Sequence, residues 1–255
     1  SVLIPTESRT TACVSSQVGC SLNCEFCATA KLKRMRNLEV AEIVDQVALI
    51  DKQSKLYFDR PLSNIVFMGM GEPMMNYKNV VDAIRKITQE DGLGMSARRI
   101  TVSTSGIPKM MKMLADENLK VKLALSLHSA IEHKRNEIMP FSTKFPLTEI
   151  MEAMQYWYDK TGSRITFEYC VWKGINDGDE DIKALIKYCR QVPCKVNLIQ
   201  YNPIGEGKFD HRSVEAEEKY VRELEKAGIT ALVRRSRGGD IDAACGQLAN
   251  KNSGE

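Results

Sequence analysis

The chain has 255 residues, of which 43% are apolar and 27% charged, a composition that is ordinary for a globular protein. Its length fits one domain over residues 1–255, and its formal net charge of +3 permits a nucleic-acid partner without requiring one. The sequence has no signal peptide and no apolar run near ~18 residues, so we expect a cytoplasmic monomer without membrane contact and with reduced cysteines.

Hydrophobic periodicity divides the chain into alternating strands and helices. Strands are predicted at 10–16, 64–69, 99–104, 122–127, 165–169, 195–199 and 231–235, and helices at 40–50, 80–87, 110–114, 147–158, 181–190 and 214–226. Strands that alternate with helices form right-handed crossovers and a parallel sheet. The pattern therefore predicts an α/β fold, a partial (β/α)6 barrel with a short N-terminal extension and a C-terminal tail.

A compact set of three cysteines follows the first predicted strand. Cys20, Cys24 and Cys27 are spaced Cys-x-x-x-Cys-x-x-Cys, and an aromatic residue, Phe26, precedes the last. Three thiolates can hold three corners of a 4Fe-4S cluster and leave the fourth iron open to another ligand. A structural zinc would want a fourth ligand nearby, and the next hundred residues offer none. A Cys3His zinc site and unliganded core cysteines are the alternatives.

Short segments with polar residues and glycines end or follow the predicted strands. They contain Gly71 and Glu72 after the second strand, Ser103 at the third, Ser126, Leu127 and His128 at the fourth, Glu168 at the fifth and Asn202 beyond the sixth. The carboxyl ends of parallel barrel strands form one face, where active sites lie. We therefore expect these segments to converge on the cysteine loop (residues 20–27). His128 is interpreted either as a polar residue of the fold or as a pocket residue.

The other cysteines fall into two groups. Cys245 lies between Ala244 and Gly246 in a polar tail, which predicts an exposed, mobile and reactive thiol. Cys170, Cys189 and Cys194 adjoin apolar runs and are predicted to be small buried residues, with a second cluster as the less favoured alternative.

Five segments together resemble the radical SAM (S-adenosylmethionine) RNA methyltransferases of the RlmN/Cfr group, and the resemblance covers essentially the whole chain. They are residues 14–20, 69–76, 103–106, 126–128 and 237–248. Pro73 after Gly-Glu and the Asp-Ile-Asp-Ala-Ala-Cys tail are more similar to the RlmN branch, which methylates carbon 2 of adenosine in 23S rRNA and tRNA. The Cfr branch methylates carbon 8 of the same ribosomal adenosine.

The resemblance implies two cofactors, a flavodoxin-type electron donor and a set of site residues. The 4Fe-4S cluster would be held by Cys20, Cys24 and Cys27, and its open iron would bind S-adenosyl-L-methionine (SAM). SAM would be contacted by Gly71, Glu72, Ser103, Ser126, Leu127, His128 and Asn202.

The resemblance also implies roles for two further cysteines. Cys245 would take a methyl group from one SAM, and a radical made from a second SAM would activate that methyl group for addition to adenine. Cys13 would then release the RNA from the resulting protein–RNA adduct and leave a Cys13–Cys245 disulfide.

This sequence departs from the family pattern in several features. The family's glutamate base and its small N-terminal domain are expected upstream of Ser1, and Lys33 and Arg34 stand where the family has Gly-Phe. Two basic runs, one from Lys31 to Arg36 and one from Arg234 to Arg237, favour phosphate contacts. Another radical SAM enzyme and a non-catalytic zinc module are the rival interpretations.

Overall fold

The computed structural model describes residues 1–32, 36–204, 209 and 214–249. The strands in this part of the chain are β1 (Val2–Pro5), β2 (Thr10–Cys13), β3 (Gln17–Val18), β4 (Arg36–Asn37), β5 (Asn64–Phe67), β6 (Ile100–Thr104), β7 (Lys122–Ser126), β8 (Ile165–Tyr169), β9 (Cys194–Ile199) and β10 (Ala231–Arg234). The helices are α1 (Ala28–Lys31), α2 (Val40–Phe58), α3 (Tyr77–Thr88), α4 (Pro108–Asp116), α5 (Glu132–Ile138), α6 (Leu147–Thr161), α7 (Asp179–Cys189) and α8 (Val214–Lys226). Among the residues described, no helix has the length and apolar character needed to cross a bilayer.

Eight strands form one sheet in the order β1-β2-β5-β6-β7-β8-β9-β10. Each pair from β2 to β10 is parallel, and β1 pairs with β2 in the antiparallel sense. Helices connect successive parallel strands, as right-handed crossovers require. The predicted partial α/β barrel is confirmed, with an additional antiparallel strand at one edge.

The sheet has an apolar face and a polar face. Ile165, Phe167 and Tyr169 alternate along β8 and are fully buried in the hydrophobic core with the covering helices. Ser126, Glu168 and Asn197 are paired in register across β7, β8 and β9, so their side chains lie together on the opposite face. This polar face is the inside of the half-barrel.

The strand predicted at 10–16 is shorter in the structure. The longer elements β1 and α5 and the short elements β3, β4 and α1 were not predicted. β2 ends at Cys13 because the next residues bond elsewhere: the Ser16 N–H donates to the Met70 carbonyl, and the Met70 N–H donates to Ser15 Oγ. β1 is four residues long and ends in Pro5, too short to show a period. α5 is almost wholly polar in sequence, so apolar periodicity did not reveal it.

Candidate functional site

One cavity lies at the carboxyl ends of the parallel strands and is open to solvent. About 1010 Å³ of space free of protein atoms, including the solvent at its mouth, lies between its lining residues. The predicted site residues that line it are Cys20, Cys24, Cys27, Gly71, Glu72, Ser103, Ser126, His128 and Cys245. Cys13, Leu127 and Asn202 do not line it, and Leu127 is fully buried in the hydrophobic core.

The three cysteines of the cysteine loop share one wall of this cavity. Burial raises the pKa of Cys20 to about 11 and that of Cys24 well above its ordinary value, and Cys27 and Cys20 raise the pKa of Cys24 further. Among the described residues, no three His, Cys, Asp or Glu side chains converge on a point where one metal ion could bind. This gives no support to a zinc site. A cubane cluster has a different requirement, since each thiolate binds its own iron.

Glu72 is a buried carboxylate that lines the cavity beside the cysteine loop. Its two oxygens accept the backbone N–H groups of Met74 (3.1 Å) and Ser105 (2.8 Å). Desolvation raises the pKa of Glu72, and these hydrogen bonds oppose the shift. The preceding Gly71 has φ +95°, and a Cβ there would stand 2.5 Å from the Cβ of Gln17. Only glycine fits this turn, which fixes the carboxylate in position.

His128 is a neutral ring between the cysteine loop and β8. Its Nδ1 accepts the Cys170 N–H at 3.2 Å, so the ring proton is on Nε2. Desolvation lowers the pKa of His128 to about 3. The Phe26 ring packs edge-on at 4.6 Å between centroids. Both interpretations of His128 therefore apply, because its Nδ1 has a hydrogen-bond partner within the fold and its ring also lines the pocket.

The tail (residues 238–249) is hydrogen-bonded to the cysteine loop and its surroundings. The Ala28 N–H donates to the Gly246 carbonyl at 2.7 Å, and Asn202 Nδ2 donates to the Cys245 carbonyl at 3.1 Å. The Thr29 hydroxyl donates to the Leu248 carbonyl. Cys245 is exposed, as predicted, but its segment is held by these bonds, and the Asn202 amide is used to hold it.

Cys13 is buried at the end of β2, near Cys245. Its pKa is raised to about 12, first by desolvation and next by Cys245, whereas Arg234 opposes the shift. Desolvation also raises the pKa of Cys245, and Arg234 again opposes it. The charge of the Arg234 guanidinium thus acts on both thiols, although the two cysteines are far apart in the sequence.

Glu168 is a cavity residue to which sequence reasoning gave no role. Its Oε1 accepts from Asn197 Nδ2 at 3.0 Å, its Oε2 has no hydrogen-bond partner, and Arg234 Nη1 lies 3.9 Å from that oxygen. Desolvation raises the pKa of Glu168. The signal in the sequence was a glutamate within a largely apolar strand. Burying an acidic side chain there costs free energy unless the inside of the barrel is polar.

Cys170 also lines the cavity, whereas Cys189 and Cys194 lie together elsewhere, which gives no support to a second three-cysteine cluster. Cys170 and Cys189 are buried as predicted. Cys194 is only half-buried, which corrects the prediction. It begins β9, where its Sγ lies 3.5 Å from the Cys189 carbonyl oxygen.

The predicted basic runs are only partly available to phosphate. Arg36 forms a double hydrogen bond with Glu42, at 2.7 and 2.6 Å. Arg234 is directed inward, toward Glu168 and Met68. Lys33 and Arg34 lie outside the described residues.

Comparison with known proteins gives a consistent result. Residues 14–189 match the model of the radical SAM superfamily. The "probable dual-specificity RNA methyltransferase RlmN" of Flavobacterium psychrophilum is 68% identical over 251 residues, which cover 98% of this chain and 72% of that protein. The protein of the same name from Christiangramia forsetii is 67% identical, with 99% and 72% coverage. The crystal structure of a radical SAM methyltransferase from Sphaerobacter thermophilus has a TM-score of 0.94 at 43% identity, covering 96% of this chain and 72% of that one.

Radical SAM enzymes use a 4Fe-4S cluster together with SAM, and the cavity fits that pair. The three cysteine-loop thiols share a wall whose burial suits an anionic cluster once it is ligated. The buried Glu72 carboxylate on the same cavity suits an ammonium group. The chain therefore belongs to the radical SAM superfamily and, within it, to the RlmN family of RNA methyltransferases.

Proposed function

We propose that this chain methylates carbon 2 of an adenosine in 23S rRNA and tRNA, with Cys245 as the methyl carrier. The observation that supports this most directly is that Cys245 lines the same cavity as Cys20, Cys24 and Cys27. A methyl group on its sulfur would face the space in which the cluster and SAM would bind. The branch of the family with this tail acts on carbon 2, and carbon 8 is the alternative.

The cavity residues would bind and orient the reactants. Cys20, Cys24 and Cys27 would hold the cluster, which together with SAM supplies the radical that activates the methyl group. Glu72 would accept hydrogen bonds from the SAM ammonium, and Ser103 and Ser126 line the wall between Glu72 and His128. His128 would donate from Nε2 as a neutral group. Leu127 would contribute through its backbone, since its side chain is in the core.

Cys13 would resolve the protein–RNA adduct. Its sulfur would form a bond to the Cys245 sulfur while the bond from that sulfur to the former methyl carbon breaks. The carbon would keep the electron pair and take a proton, which leaves a methyl group on the base and a disulfide in the protein. Because burial holds Cys13 as a thiol, its proton must leave before it attacks, and the nearby charge of Arg234 favours that loss.

Nucleoside analysis tests the proposal. The full-length protein with reconstituted cluster, SAM and a flavodoxin-type reductant is incubated with 23S rRNA fragments and with tRNA. The nucleosides are separated by liquid chromatography against synthetic standards, because the 2-methyl and 8-methyl isomers have the same mass, and are detected by mass spectrometry. We expect 2-methyladenosine from the wild type and from Cys189→Ala, and none from Cys245→Ala. Formation of 8-methyladenosine would contradict the carbon 2 assignment, and a full yield from Cys245→Ala would contradict the methyl-carrier role.

A further inference from the structure

Arg135 is a buried cation whose hydrogen-bonding capacity is only partly used. Its residue is 0% exposed, on α5. Nη2 donates to the Ser105 carbonyl at 2.6 Å and to the Ser126 carbonyl at 3.4 Å. Nε and Nη1 have no hydrogen-bond partner. A guanidinium cannot release its proton in a protein, so this charge is permanent and requires a compensating anion.

The neighbours of Arg135 supply only part of that compensation. Glu132 interacts electrostatically with Arg135, but its Oε2 accepts the Leu147 N–H, and no ion pair within 4 Å joins the two in the described structure. Tyr188 is held neutral, since burial raises the pKa of its hydroxyl. The guanidinium therefore has two carbonyl oxygens as hydrogen-bond acceptors and one carboxylate that acts on it without direct contact. It has no direct anionic partner among these neighbours.

Two further neighbours are His128, which is neutral, and Cys24, one of the cysteines of the cysteine loop. The positive charge of Arg135 acts on the Cys24 sulfur. The end of α5 is joined to the same loop, because the Glu25 N–H donates to the Ile138 carbonyl at 3.2 Å. The two carbonyls that accept from Arg135 belong to Ser105 and Ser126, which both line the cavity. Arg135 thus lies behind the wall against which the cluster would sit.

We propose that Arg135 is the buried counter-ion of the iron–sulfur cluster and that it raises the cluster's reduction potential. This rests on the proposed cluster site at Cys20, Cys24 and Cys27, and not on which adenine carbon is methylated. A 4Fe-4S core with three thiolates is anionic, and one-electron reduction by an external donor adds a further negative charge. A fixed cation beside one thiolate stabilises the reduced form more than the oxidised form. Arg135 is therefore a positioning residue that acts through charge, since it does not line the cavity.

A redox titration without RNA tests this. The reconstituted wild type, Arg135→Lys, Arg135→Met and Arg135→Gln are titrated anaerobically, and the reduced cluster is followed by electron paramagnetic resonance. We expect the neutral variants to show an equilibrium constant for reduction about tenfold lower, a shift of about 59 mV for a one-electron couple. Arg135→Lys keeps the charge and should stay within about threefold of the wild type. Arg98→Met, at an exposed arginine, is the matched control and should show no shift.

Several outcomes decide the matter. Unchanged potentials in Arg135→Met and Arg135→Gln with full iron content would overturn the proposal and leave Arg135 as a structural residue. If neither neutral variant folds, Glu132→Gln becomes the test, because removing the carboxylate that shields Arg135 should shift the potential upward, and no shift would equally overturn it. The readout needs no RNA turnover, so failure to methylate carbon 2 would leave this result intact.

Discussion

The two ends of the cavity hold the same nucleophile, a cysteine sulfur, in opposite settings. At the cysteine-loop end, Cys24 is half-buried and faces the charge of the fully buried Arg135. At the tail end, Cys245 is an exposed residue that also lines the cavity, and the cation that acts on its sulfur is Arg234, whose side chain is 36% exposed. The cysteine-loop end, with its buried fixed cation, suits sulfurs that each keep one bonding partner. The tail end, with its exposed residue, suits a sulfur that changes bonding partners during each turnover.

The largest effect should come from breaking the cysteine-loop end. Replacing Cys20, Cys24 or Cys27 by alanine should abolish the 4Fe-4S cluster, SAM cleavage and RNA methylation together, because each thiolate holds its own iron. Iron content and visible absorption after anaerobic reconstitution are the measurement, with Cys189→Ala as a cysteine control away from the cavity. A triple alanine variant that keeps about four irons and still cleaves SAM would mean that the cluster lies elsewhere.

Breaking the tail end should stop the reaction later. Cys13→Ala should still cleave SAM and add to the base once, and then accumulate a protein–RNA adduct, because the second thiol is missing. A denaturing gel with labelled RNA measures the adduct. Cys170→Ala removes another buried cavity cysteine and should turn over without an adduct. Normal multiple turnover by Cys13→Ala would make Cys13 a plain core cysteine.

A smaller perturbation should loosen the tail and leave the cysteine loop intact. Gly246 has φ +86°, and a Cβ there would stand 3.3 Å from the Phe26 carbonyl oxygen. Gly246→Ala should cost ~1–2 kcal/mol in tail docking and lower methyl transfer by about 5–30-fold with full iron content. Gly228→Ala imposes a similar strain at φ +75° with open space around it, so it should leave methyl transfer unchanged. Equal losses in both variants would contradict a specific role for the docked tail.

The last effect is on folding stability and concerns His128, whose ring packs against Phe26 of the cysteine loop. Its pKa is about 3 in the fold and 6.5 in an unfolded chain, so the unfolded state binds the proton first as the pH falls. Stability is therefore lost progressively below pH 6.5, by about 1.4 kcal/mol per pH unit until the folded value is reached. Between pH 7 and 5 the wild type should lose about 2 kcal/mol more than His128→Asn, whose Oδ1 can still accept the Cys170 N–H. Urea denaturation of the cluster-free protein at both pH values is the measurement, and equal losses would show that folding does not lower the pKa of His128.

Most of the fold could be predicted from the sequence because its strands are buried on the helix-facing side. Apolar runs such as 64–67 and 122–126 are recognisable as strands in the sequence, and the helical periodicity between them indicates that they alternate with helices. Helix α5 left no such period, since its sequence is Glu-His-Lys-Arg-Asn-Glu-Ile. Its most deeply buried polar residue is Arg135, and only the assembled structure reveals that a charge occupies an interior position.

The site was predictable where its residues are adjacent and unpredictable where they are not. The spacing of Cys20, Cys24 and Cys27 is local, so three thiolates in one loop indicate a cluster directly. The nearness of Cys13 and Cys245 depends on the tail returning to the cysteine loop, and only the resemblance to a family suggested it. Glu168 was visible in the sequence, but the open oxygen beside Arg234 is a property of packing.

The contact between the Thr29 hydroxyl and the Leu248 carbonyl joins residues 219 positions apart. At a synthesis rate of roughly 5–20 residues per second, the cysteine loop leaves the ribosome about 10–45 s before its partner in the tail. The nascent chain therefore passes through a period in which the cysteine loop exists and Cys245 does not. Docking of the tail is a late, long-range closure, so Cys245 joins the site only after nearly all of the barrel has been made.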